Sequence, residues 1–132
     1  MKCEFNEGGG IVSFGSERQI STGTDMTINE TAVTVVLWEA KAKPGREADM
    51  KAFMANAVTA SRHDAGNIDY EAHEVEGKPG VFIIYERWIS RAALDAHLGA
   101  PRMHALVPQL LEMMDGSVED GIRILRSFRP AA

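Results

Sequence analysis

The chain has 132 residues, 45% of them hydrophobic and 25% charged, which fits one ordinary globular domain and excludes a multidomain enzyme or a disordered chain. Fourteen Lys and Arg against nineteen Asp and Glu leave a net charge of −5 with no basic run to offset it, so no nucleic-acid partner is expected. The lone Cys3 cannot form an intrachain disulfide, no apolar segment resembling a signal peptide follows Met1, and no run approaches the ~20 apolar residues of a membrane helix. The sequence therefore predicts a cytoplasmic protein without membrane association.

Residues 1–30 read as an arm. They carry five of the twelve glycines, a Ser/Thr-rich stretch at 21–27, and two basic against five acidic residues, the composition of a flexible extension. Ile11-Val12-Ser13-Phe14 is the apolar cluster with which the arm could dock, on its own body or on a neighbour. The domain proper is predicted over 31–132.

Thr34–Ala42 is rich in β-branched and aromatic residues and ends at Lys43-Pro44-Gly45, a strand and a turn. Met50, Phe53, Met54, Ala57 and Val58 then recur at helical spacing, predicting a helix from about Arg46 to Asp64 with Gly66 as its C-cap. Alternation over Asn67–Glu76 and the apolar run Val81–Trp88, joined by Gly77-Lys78-Pro79-Gly80, predict a hairpin. Ser90 is a good N-cap for a helix bearing Ala93, Leu94, His97 and Leu98. Gly99-Ala100 interrupts that helix, Pro101 suits the first position of a second piece, and Pro108 is expected to kink it. Gly121–Phe128 reads as the closing strand.

The order β-α-β-β-α-β is the split βαβ arrangement of an α+β, ferredoxin-like fold. Both helices would then lie on one face of the sheet. Yet Val81–Trp88 is apolar on both parities, as is the first half of Thr34–Ala42, and strands apolar on both faces are buried on both. A homodimer with facing sheets is the expected cover.

Few residues offer chemistry. His63, His73, His97 and His104 form no metal-ligand pattern, and no dinucleotide, phosphate-loop or nucleophile-elbow motif occurs, so neither a metal nor a cofactor is expected. Cys3 reads as an inert terminal cysteine. His97 shares the apolar stripe of its helix and, at ~1.5 Å rise per residue, would sit over Ile84 or Glu86 when the helix folds back across its strand. A carboxylate and an imidazole meeting there would form a desolvated pair suited to moving a proton. The competing reading is a satisfied core histidine with Glu86 as its structural partner.

Glu86-Arg87-Trp88-Ile89-Ser90 followed by Ala96-His97-Leu98-Gly99-Ala100-Pro101 resembles the E-x-W-x-S … A-H-L-x-x-P signature of the antibiotic biosynthesis monooxygenases, most closely the small quinol monooxygenases. Lys41-Ala42-Lys43-Pro44-Gly45 and Ile122-Arg123-Ile124-Leu125 match the same proteins, so the resemblance covers roughly 31–128. It implies a dimeric α+β barrel and oxidation of a quinol-like or polyketide-type aromatic by O2 without metal or flavin. It also implies His97 as base or hydrogen-bond partner, Trp88 as a flat pocket wall, and Glu86 as the residue that orients or charges the site. Trp38 and Tyr70 either line the same cavity or pack in the core. Relatives often carry a second histidine where this chain has Arg102. His104, two residues on, either replaces it or lies on the surface, and Arg102 at the pocket mouth would favour an anionic substrate. The first strand lacks the asparagine of the haem-degrading branch. The rival readings are an isomerase or processing enzyme for a small phosphorylated signalling molecule, and a non-catalytic dimeric binding or stress protein.

Overall fold

The computed structural model describes residues 32–128. The expected arm, Cys3 and the cluster Ile11–Phe14 lie outside the described residues. Within them the order is β1 (Thr34–Ala42), α1 (Glu47–Ser61), β2 (Asn67–Glu74), β3 (Val81–Trp88), α2 (Arg91–Leu98), α3 (Pro101–Met113), β4 (Met114–Asp115), a 3-10 turn at Glu119–Gly121 and β5 (Ile122–Arg126). The sheet runs β2-β3-β1-β4, with β5 also pairing β1, all antiparallel. This is the ferredoxin-like α+β fold read from the sequence, with the second helix and the last strand each in two pieces.

Strand alternation decides which face is covered. In β3 the buried residues are Phe82, Ile84, Glu86 and Trp88, while Val81, Ile83, Tyr85 and Arg87 are half-exposed. Val36, Trp38, Ala40 and Ala42 of β1 join the buried face, where Met50, Met54 and Val58 of α1, Leu94 of α2 and Leu110 and Met113 of α3 complete one core. The opposite face carries Leu37, Tyr85, Ile83 and Leu125, with Leu125 45% exposed, and no helix among the described residues covers it.

Two local expectations change. First, α1 stops at Ser61 and Gly66 is not its cap. A series of turns follows, in which Asp64 N–H donates to Ser61 O and Asn67 N–H to Asp64 O, so Asp64 sits in a loop. Gly66 (φ +83°) ends that loop under α2; a Cβ there would lie 2.6 Å from the Ala93 Cβ, a contact only glycine permits. Second, the last strand is shorter than read, because the 3-10 turn takes Gly121 and pairing with β1 ends at Arg126, opposite Thr34. Pro108 lies inside the single helical span of α3. Ser90 caps α2 by accepting from Ala93 N–H at 3.1 Å, and Pro101 opens α3. No helix among the described residues is long and apolar enough to cross a membrane.

Candidate active site

Between the helices and the covered face of the sheet lies a cavity of about 80 Å³. Phe53 and Met54 of α1, Leu98 of α2, Met103, Leu106, Val107 and Leu110 of α3, and Ile122 and Ile124 of β5 make most of its wall apolar. Its polar groups gather from four elements: Trp38, Tyr70, Glu86 and His97. No Lys or Arg is among its lining residues.

His97 is 3% exposed and enters from the last turn of α2. Its ring lies against Trp88, with centroids 4.6 Å apart and planes at 35°, and meets Tyr70 edge-on at 5.7 Å. Nδ1 lies 2.7 Å from Asp64 Oδ2. Arg102 grips that carboxylate with two hydrogen bonds of 2.9 Å, one to each oxygen, and also donates to Ser61 Oγ at 3.2 Å. Burial would raise the Asp64 pKa, but the hydrogen bonds from His97 and Arg102, with the Arg102 charge, bring it down to about 2. An ionised Asp64 can only accept, so His97 Nδ1 carries the proton. His97 Nε2 has no hydrogen-bond partner among the described residues.

Glu86 projects from β3 with only 6% exposure, and its Oε1 accepts from Trp88 Nε1–H at 2.9 Å. Burial raises its pKa above the ordinary carboxyl value, against the opposing indole hydrogen bond and His97 charge. Burial, reinforced by the Glu86 carboxylate, likewise pushes the Tyr70 phenol upward, so it stays neutral at physiological pH. Trp38 anchors the loop before β5 through Nε1–H to Val118 O at 3.0 Å.

The structure thus places Trp38, Tyr70, Glu86 and His97 around one cavity and moves three other candidates away from it. Trp88, 0% exposed, is not a wall: it stands behind His97 as a support and ties down Glu86. Arg102 does not face the cavity mouth, because its guanidinium is spent on Asp64. His104 is exposed and off the cavity. Among the hydrogen bonds of the described residues, Glu86 and His97 are not joined to each other; each has its own partner.

Asp64 is the residue the sequence reading missed, and hairpin arithmetic could have found it. A symmetric turn at 77–80 would set Asn67 opposite Ser90; the observed partner is Trp88, with a bulge between Asn67 and Asp69, and either register puts the residues just before Asn67 near the start of α2.

The comparisons with known proteins agree with the fold. The family model described as antibiotic biosynthesis monooxygenase matches residues 34–109, the span from β1 into α3. The chain belongs to that family. An uncharacterised protein from Synechocystis, sll1783, is 31% identical over 80 residues, covering 61% of this chain and 54% of that protein. The chain thus spans about half the length of that curated relative. Among solved structures, a conserved protein from Methanosarcina mazei superposes with a TM-score of 0.69 at 20% identity, over 75% of this chain and 96% of that one. Rv0793 from Mycobacterium tuberculosis gives a TM-score of 0.68 at 24% identity, over 76% and 100%. At these identities the two structures speak for the fold alone.

Proposed function

We propose that this chain is a cofactor-independent monooxygenase that oxidises a quinol-like or polyketide-type aromatic with O2. The observation that carries the reading is an imidazole with one nitrogen tied to a carboxylate, the other free, set in an apolar cavity beside a buried carboxyl group. Nε2 takes the phenolic proton, and the resulting electron-rich anion passes an electron to O2, doing what a cofactor otherwise does. Recombination at a ring carbon and loss of water complete the balance: a hydroquinone plus O2 gives a hydroxyquinone plus H2O. Glu86, shifted toward its protonated form by burial, is the group read as supplying the proton to the oxygen that leaves as water. The apolar wall excludes solvent from the reactive intermediate.

Oxygen uptake with a panel of quinols and anthrones is expected, unaffected by chelator and lost in His97→Ala. No uptake above background by metal-free, flavin-free protein would end the proposal. A phosphorylated substrate finds no support, since no Lys or Arg lines the cavity. One observation favours non-catalytic binding: the cavity volume of about 80 Å³ is about half of the ~150 Å³ that takes up benzene. An aromatic ring therefore enters only as flexible lining such as Met103 and Leu98 moves outward. Ligand binding without turnover is the outcome that would favour that second reading. The uncovered apolar face is proposed to pair with a second copy, as the family's dimeric barrel implies.

A further inference from the structure

The proposed chemistry leaves one arrangement unused: a single carboxylate is held from both sides of the break between α2 and α3. His97 lies in the last turn of α2 and Arg102 in the first turn of α3, and both bond Asp64 in the loop after α1. We propose that Asp64, locked by Arg102, is a positioning residue that fixes the tautomer and orientation of the His97 ring; this rests on the reading of His97 as the base.

The geometry supplies each part of the argument. Oδ2 accepts from His97 Nδ1–H and from Arg102 at once, and Oδ1 accepts the second Arg102 bond, so the carboxylate cannot rotate without breaking three contacts. Arg102 is itself held by the Ser61 hydroxyl, and Ser61 is 1% exposed. The ring is clamped between Asp64 on its Nδ1 edge and Trp88 on its face. A neutral imidazole left to itself favours the proton on Nε2, which would leave nothing to accept a phenolic proton. The carboxylate reverses that preference, and it faces the positive charge that appears on the ring when Nε2 is protonated. Asp64 does not line the cavity, so it acts through His97.

The test reads the ring directly. In 15N-labelled full-length protein with the imidazole neutral, His97 is expected to show a protonated Nδ1 and a bare Nε2. Asp64→Ala should shift the ring toward the Nε2–H form, and Arg102→Gln should do so to a smaller extent. With a quinol substrate kcat should fall roughly 10- to 100-fold in Asp64→Ala, the range over which loss of ring-orienting partners is felt, while KM stays within about twofold. An Nε2–H ring in the wild type overturns the proposal, and that spectrum decides even where Asp64→Ala fails to fold. An unchanged tautomer in Asp64→Ala overturns it as well. Wild-type protein with the expected tautomer but no oxygen uptake upholds the positioning role and removes the monooxygenase reading, so the two fail separately.

Discussion

Replacing Asp64 with Asn should cost stability in a pH-dependent way. Its carboxyl is held at about 2 against an ordinary 3.8. That difference corresponds to ~2.4 kcal/mol at 1.36 kcal/mol per pH unit. The side chain is 21% exposed, and solvent screening reduces the expected contribution to about 1–2 kcal/mol. Because the folded protein holds this proton less tightly than the unfolded chain, the stabilisation is complete above about 3.8 and is lost as pH falls through about 2. Urea unfolding of wild type and Asp64→Asn at pH 7, 5, 4 and 3 measures the gap. Any geometric cost of the amide is a constant offset, and other carboxylates cancel in the difference. The gap should narrow by about 0.5–1 kcal/mol between pH 5 and pH 3, a window below the ordinary range of histidine titration. A gap that stays constant or widens toward pH 3 would falsify the clamp as drawn.

Two further outcomes are expected. Gly66→Ala combines a positive φ with a Cβ 2.6 Å from that of Ala93, so it should destabilise by about 2–4 kcal/mol, read from urea midpoints. Gly45→Ala has a similar φ of +86° with nothing within 4 Å, and should cost only about 1–2 kcal/mol; equal losses would show that close packing under α2 is not the reason. Sedimentation velocity at tens of micromolar should give twice the chain mass, and Tyr85→Lys on the open sheet face should shift it toward the monomer. A monomeric wild type refutes the pairing.

Much of the framework was readable because local chemistry agreed with tertiary need. Val81–Trp88 came out to the residue, since an apolar run between a glycine turn and a serine cap has few other options. The end of α1 was misplaced because residues after Ser61 bend into turns for the sake of the contact between Gly66 and Ala93, which no local pattern announces. His97 and Glu86 were legible as inward-pointing polar residues in apolar stripes. The partner of His97 went unread, because Asp64 lies 33 positions away and meets the imidazole only through the intervening hairpin, whose register a bulge shifts. Trp88 was misjudged for a related reason: periodicity tells that a side chain faces inward, and not whether it ends at a cavity or behind another ring.

Connections between helices usually absorb insertions and deletions with little penalty. The Leu98–Pro101 joint has less freedom, since the residues flanking it close on opposite sides of the same Asp64 carboxylate. Adding or removing one residue there would carry Arg102 away from its partner while His97 stayed in place, leaving a half-buried anion half-matched. Chain length at this joint is therefore under the same constraint as residue identity, and descendants of this sequence can drift in the composition of Gly99-Ala100 more freely than in its spacing.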